Sequence, residues 1–194
     1  VTVTIVAADR ARAAAQRIVG MGINTIKIKV GRDADEDIER VAAFAAVSSR
    51  LRLLLDANCG YTPRQSLRLL KSLKRLGIVP ALFEQPAAKD DWRGLGDVHR
   101  VSGVPVAADE SVTNRQEALR MARERAVQVV NIKLMKCGLL EAWDIALICR
   151  AAGLGLMIGG MVESTLAMTC AAHLAAGLGG FDFVDLDTPL WFKK

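Results

Sequence analysis

A chain of 194 residues with 52% hydrophobic and 24% charged side chains can bury a core, which excludes a disordered polymer. Its formal charge of +5 is scattered over helical stretches such as 64–75 and 115–125, and no zinc-finger or RNP pattern accompanies it, so no nucleic-acid partner is expected. Neither a signal peptide nor a stretch of about 20 apolar residues appears, and Cys59, Cys137, Cys149 and Cys170 lack CxxC spacing; a soluble cytoplasmic domain with no membrane partner is expected.

Short apolar runs alternate with amphipathic stretches. The first strand is predicted at 1–6 and a helix at 9–19, stopped by Gly20 and Gly22. A strand at 25–30 precedes a helix at 33–48, whose early acids Asp33, Asp35, Glu36 and Asp37 suit the positive end of the helix dipole. The third strand is placed at 51–55, and Pro63 opens a helix over 62–76. A fourth strand at 79–83, a helical or irregular turn at 92–102 and a fifth strand at 104–107 follow. Then come a helix at 114–123, a strand at 127–132, a helix at 140–152, a strand at 154–158, a helix at 164–176 and a strand at 181–184.

No linker interrupts the alternation, so one domain over 1–194 with a parallel sheet is expected. The residues ending successive strands are Lys29, Asp56, Glu84, Asp109, Lys133, Gly159 and Asp185, at steps of 27, 28, 25, 24, 26 and 26 residues. One compact βα unit fits each step. No dinucleotide-binding glycine fingerprint and no P-loop follows the early strands. The fold class predicted is α/β, a (β/α)8 TIM-type barrel, in which polar groups at the carboxyl ends of the strands converge on one mouth.

Three consecutive strand ends carry acids: Asp56 in LLLDANCG, Glu84 in ALFEQP and Asp109 in VAADES. Crowded carboxylates repel one another unless a cation is present. An oxygen-only set suits a hard ion, Mg²⁺ or alternatively Mn²⁺; the bland alternative is that each acid caps the helix that follows it. Lys27 and Lys29 in IKIKV share one face of a strand, and Lys133 ends the sixth strand within an apolar run. A lysine serves as a base only when its pKa falls towards neutral, and neighbouring cations lower it. The alternative for Lys29 is a snorkelling surface side chain. Together these groups suit removal of a proton next to a carboxylate: the metal and Lys27 stabilise an enediolate, one lysine takes the α-proton, and a second lysine returns one on the opposite face.

With KIK at 27–29, DAN at 56–58, EQP at 84–86, DES at 109–111, NIKLMKCG at 131–138 and GGMVES at 159–164, the sequence resembles the enolase superfamily, muconate lactonizing enzyme subgroup. The resemblance covers essentially the whole chain and lies nearest the dipeptide epimerases. It implies Lys29, Lys133 and Lys27 as catalytic groups and Asp56, Glu84 and Asp109 as ligands of the metal. The DxD pair Asp185 and Asp187 in DFVDLDTP is implied to bind the α-ammonium of a dipeptide; two carboxylates on one face also suit an ammonium physically. The implied reaction is epimerisation at the α-carbon of the C-terminal residue, classically between L-Ala-D-Glu and L-Ala-L-Glu. Asn58 and Lys136 are taken as further substrate contacts, with a helix-start role for Lys136 kept open.

Family members carry an N-terminal capping domain; this stretch is expected to lack both it and the final barrel helix. With no initiator Met, the chain is expected to be a piece of a longer protein. Homo-oligomerisation would cover part of the apolar surface so exposed. Cys137 stands where relatives show glycine and is expected to pack. Trp92, Trp143 and Trp191 are expected to pack, His99 to lie on the surface, His173 to be structural, and Glu163 to lie near the reacting carboxylate. The competing functions are another enzyme of the subgroup (o-succinylbenzoate synthase, N-acylamino acid racemase or a cycloisomerase), an inactive structural or binding barrel, and a Schiff-base aldolase.

Overall fold

The computed structural model describes residues 1–4 and 6–191, the side chains of Ala8 and Trp191 excepted. The chain divides into two compact units, Val1–Val106 and Ala107–Lys194.

The first unit runs β1 (Thr2–Val3), α1 (Ala8–Gly20), β2 (Thr25–Lys29), α2 (Ala34–Ala45), β3 (Arg52–Asp56), α3 (Pro63–Arg75), β4 (Leu82–Glu84) and α4 (Trp92–Ser102). β1, β2, β3 and β4 pair in parallel in chain order. Their interiors read as near-continuous apolar runs, as parallel strands covered on both faces require: Leu53, Leu54 and Leu55 are all buried, with Ile26, Ile28, Leu82 and Phe83. The helices that cover the sheet are amphipathic. α3 buries Leu69, Leu70 and Leu73, and Thr62 caps it by accepting a hydrogen bond from the Gln65 amide while Gln65 reaches back to the Thr62 amide. β4 begins three residues later than its apolar run, because Pro80 has no N–H to donate; the Ala81 amide is the first to join the ladder, at 2.8 Å from the Leu53 carbonyl. β1 spans fewer residues than predicted, and Ile5 lies outside the described residues.

The second unit runs from β5 (Val106–Ala108), which starts at the boundary, through α5 (Arg115–Glu124), β6 (Val129–Ile132), α6 (Leu134–Ala151), β7 (Gly155–Gly159), α7 (Thr165–Leu178) and β8 (Phe183–Asp185) to a 3₁₀ turn at Thr188–Trp191. Its strands are also parallel in chain order. α6 and α7 bury Ala142, Ile145, Ala146, Cys149, Met168, Ala171 and Leu174. α6 starts six residues before the predicted helix. A first turn forms directly on β6, then Gly138 at φ 74° and ψ 176° breaks the helical path before it resumes. Position 138 has the left-handed φ that glycine adopts without strain.

Candidate active site

Every polar residue assigned to a strand end lies at one. Lys29, Asp56 and Glu84 close β2, β3 and β4. Asp109 and Lys133 directly follow β5 and β6, and Asp185 closes β8. In the first unit, strand register makes Lys29, Asp56 and Glu84 a single row across three neighbouring strands. Lys27, two residues earlier on β2, points to the same side as Lys29.

Four side chains form a charge-balanced cluster there. Asp56 is fully buried and Glu84 is 1% exposed. The Lys27 ammonium bridges them, at 3.0 Å from Asp56 Oδ2 and 2.8 Å from Glu84 Oε2. Lys29 Nζ donates to Asp56 Oδ2 at 2.5 Å and to Asn58 Oδ1 at 2.6 Å. Asn58 adopts φ 42°, a left-handed turn that asparagine tolerates, and its amide donates to Asp56 Oδ1 at 3.0 Å. Lys29 is the more accessible of the two lysines, and its side chain borders a cavity of about 470 Å³ lined also by Thr4, Gly31, Arg32 and Asn58. A more apolar cavity of about 370 Å³, bordered by Leu70, Val79 and Val101, holds no such cluster.

The second unit has one carboxylate held by two lysines. Lys133 Nζ donates to Asp109 Oδ2 at 2.5 Å. Lys136 Nζ donates to Asp109 Oδ1 at 2.7 Å, to the Asp109 carbonyl at 2.6 Å and to the Asn131 carbonyl at 2.8 Å, which uses its three N–H donors. Burial alone would push the Asp109 carboxyl upward. The charges of Lys136 and Lys133, with hydrogen bonds from both, outweigh that and hold it well below the usual carboxylate range. Gly159, at the end of β7, carries no side chain for a steric reason. A Cβ there would stand 2.7 Å from Asn131 Oδ1 and 3.1 Å from Lys133 Cε, so the small residue leaves room for the lysine stem. Asp185 pairs with Gly159 in register, and Asp185 and Asp187 are both half-buried.

The donor chemistry fits a hard divalent cation: buried, anionic oxygens, two of which already share one ammonium charge. Among the described residues no three His, Cys, Asp or Glu side chains gather about one point. Asp56, Glu84 and Asp109 are instead each held by lysine.

Lys136 sits in the first turn of α6 and binds the carboxylate of Asp109. Glu163 accepts from the Met161 amide at 2.8 Å and closes its own loop. Cys137 packs under the Lys133 carbonyl, and burial pushes its thiol up, away from nucleophile behaviour. Trp92 is buried as expected, whereas Trp143 is 47% exposed and the Trp191 side chain lies outside the described residues. His173 is exposed rather than structural. His99 is partly buried and hydrogen-bonds the Val104 carbonyl at 2.9 Å, so it is not a plain surface residue.

Sequence reading missed a second polar cluster in the first unit. Asp37, assigned only to the helix dipole, is fully buried with Arg40 and Tyr61. The available signal was an acid and a base three residues apart on the face of α2 that also carries Val41 and Phe44.

Residues 9–193 match the family model described as enolase C-terminal domain-like. The chain is 48% identical over 194 residues to an aromatic dipeptide epimerase of Herpetosiphon aurantiacus, covering 98% of this chain and 54% of that protein. It therefore spans about half the length of that curated relative. A mandelate racemase/muconate lactonizing enzyme from Roseiflexus sp. superposes with a TM-score of 0.97 at 56% identity, over 100% of this chain and 56% of that one. A dipeptide epimerase from Enterococcus faecalis, solved with Mg and the dipeptide L-Leu-L-Tyr, gives a TM-score of 0.95 at 38% identity, over 100% of this chain and 55% of that one. The fold class is the (β/α)8 TIM-type barrel, as the spacing of strand ends predicted.

Proposed function

Because this chain belongs to the enolase C-terminal domain-like family, we propose that it supplies the catalytic barrel of a metal-dependent dipeptide epimerase. The observation that carries this reading is the placement of lysines and acids at the carboxyl ends of the strands, in an order that keeps one lysine pair in each unit. Relatives whose names record dipeptide epimerisation support it.

In this reading Lys29 takes the α-proton from one face of the C-terminal residue of a dipeptide, and Lys133 delivers a proton to the other face. Reversal of the two roles runs the reaction backwards. Lys27, bridging Asp56 and Glu84, adds positive charge where the enediolate oxygen develops. Asp56, Glu84 and Asp109 would hold Mg²⁺, with Mn²⁺ able to use the same oxygen donors. When bound, the ion polarises the substrate carboxylate and makes the adjacent carbon more acidic. Asp185 and Asp187 receive the α-ammonium of the dipeptide, and Asn58 orients the ground-state hydrogen bond of Lys29. Lys136 contributes by fixing Asp109 and by adding positive charge near the bound substrate.

The test is proton exchange in D₂O. The purified chain with Mg²⁺ and L-Ala-L-Glu is followed by NMR at the glutamate α-proton. Metal-dependent washout with some inversion is expected. A folded, metal-binding chain that exchanges neither this dipeptide nor a wider set, also in the full-length protein, would overturn the reading.

A further inference from the structure

Lys29 ends β2, and the chain then turns through Gly31 into α2. Asn58, which receives the Lys29 ammonium, belongs to the neighbouring turn between β3 and α3. These two turns touch backbone against backbone. Gly31 sits at φ +110°, and a Cβ on it would stand 2.5 Å from the Ala57 carbonyl oxygen. A Cβ on Gly60 would stand 2.3 Å from the Gly31 carbonyl oxygen.

Beneath this contact lies the buried cluster. Asp37 Oδ2 accepts from the Gly31 amide at 2.8 Å and also from the Tyr61 hydroxyl, which comes from the β3–α3 turn. Arg40 pairs with Asp37 Oδ1, donates through Nε to the Val6 carbonyl at 2.6 Å, and lies 3.5 Å from the Lys29 carbonyl. Desolvation, then the hydrogen bond to Asp37 and its charge, push the Tyr61 phenol upward, so it remains a neutral donor. A buried ion pair is weak as a source of stability, because desolvation offsets its attraction. What this one does is join both turns to one helix at defined hydrogen-bonding distances.

We propose that Asp37, Arg40 and Tyr61 are positioning residues for Lys29: they register the β2–α2 turn against the β3–α3 turn and so set where the lysine ammonium stands, without touching substrate. The proposal rests on the reading of Lys29 and Lys133 as proton-transfer groups on opposite faces. It has a consequence that a general stabilising role would not produce. Lys133 is held by Asp109 in the other unit. Loosening the cluster must therefore damage one direction of proton removal more than the other.

Initial washout of the α-proton is measured in D₂O with Mg²⁺, separately from L-Ala-L-Glu and L-Ala-D-Glu. Lys29→Ala identifies which epimer gives its proton to Lys29. Tyr61→Phe, which keeps the ring and removes the hydroxyl, is expected to slow washout from that epimer about tenfold or more. Washout from the other epimer should stay within about twofold. Asp37→Asn should exceed this asymmetry; should it fail to fold, Tyr61→Phe carries the test. Equal loss on both epimers, or no loss in folded Tyr61→Phe, overturns the proposal. If the wild-type chain shows no washout from these two dipeptides, the positioning role is judged by acetylation of Lys29 relative to Lys133, followed by peptide mass spectrometry. Tyr61→Phe should then raise the Lys29:Lys133 ratio severalfold, and an unchanged ratio overturns it.

Discussion

The two units carry the same kinds of group at their strand ends and wire them differently. In the first, two lysines face two carboxylates, with Asp56 shared between both ammonium groups. In the second, one carboxylate answers two lysines, and Lys136 spends its remaining donors on backbone carbonyls. The first arrangement is redundant: each lysine has an alternative acceptor. In the second, Lys133 and Lys136 meet on the same carboxylate, Asp109, and Lys136 turns also to the carbonyls of Asp109 and Asn131. The difference follows from the elements that deliver the groups. Strand register lines up Lys29, Asp56 and Glu84 in a row, whereas Lys133 and Lys136 are three residues apart across the start of a helix and converge on the same point.

The largest effect that would sharpen this contrast is catalytic. Lys29→Ala and Lys133→Ala are each expected to reduce α-proton exchange by about 10²–10⁴-fold, the usual contribution of a positioned acid or base. The loss should be one-sided, with opposite epimers affected. Matching losses on both epimers would erase the division of labour between the units.

Stability gives the next test. Asp109→Asn leaves two buried ammonium groups without their shared anion and is expected to cost about 3–5 kcal/mol. Glu84→Gln leaves Lys27 with Asp56 and should cost about 1–3 kcal/mol. Urea denaturation of both variants compares them directly, and equal losses would refute the redundancy of the first cluster.

A smaller effect is expected from Gly159→Ala. The added methyl meets Asn131 and the Lys133 stem, so about 1–3 kcal/mol of strain should appear. Exchange from the epimer served by Lys133 should fall, while that served by Lys29 is preserved.

The smallest effect concerns the first unit alone. Tyr61 is the one tyrosine in the sequence, so ultraviolet absorbance titrates it without overlap. Its folded pKa is raised above the ordinary 10.0, so above that pH the unfolded chain releases a proton that the folded chain keeps. The stabilisation is therefore complete below about pH 10 and declines as pH rises beyond it. Phenolate absorbance should appear only with alkaline unfolding, and Tyr61→Phe should flatten that pH dependence. Phenolate formation in the folded chain near pH 10 would show that the cluster is open to water.

Much of this was legible in the chain itself. Periodic apolar runs at a spacing of 24 to 28 residues were enough for the fold class, because each run must be a strand covered by the helix that follows. The residue ending each run marked the acids and lysines, since charged groups next to buried strands are costly unless paired or used. Boundaries shifted where Pro80 and Pro105 removed ladder donors and where Gly138 broke α6 into a turn and a helix. Those shifts moved no strand-end residue out of place.

What tertiary structure alone decided is who pairs with whom. Nothing local in KIKV or DANCG says that Lys27 bridges Asp56 and Glu84 while Lys29 takes Asp56 and Asn58; register between strands decides it. Asp37 looked like one of four acids at a helix start, and only folding buried it while its neighbours stayed near solvent. Hydrophobic patterning is a property of sequence period and survives in the chain as written. The partner of a buried charge is set by the few ångströms between elements far apart in sequence, and those distances exist only once the chain has packed.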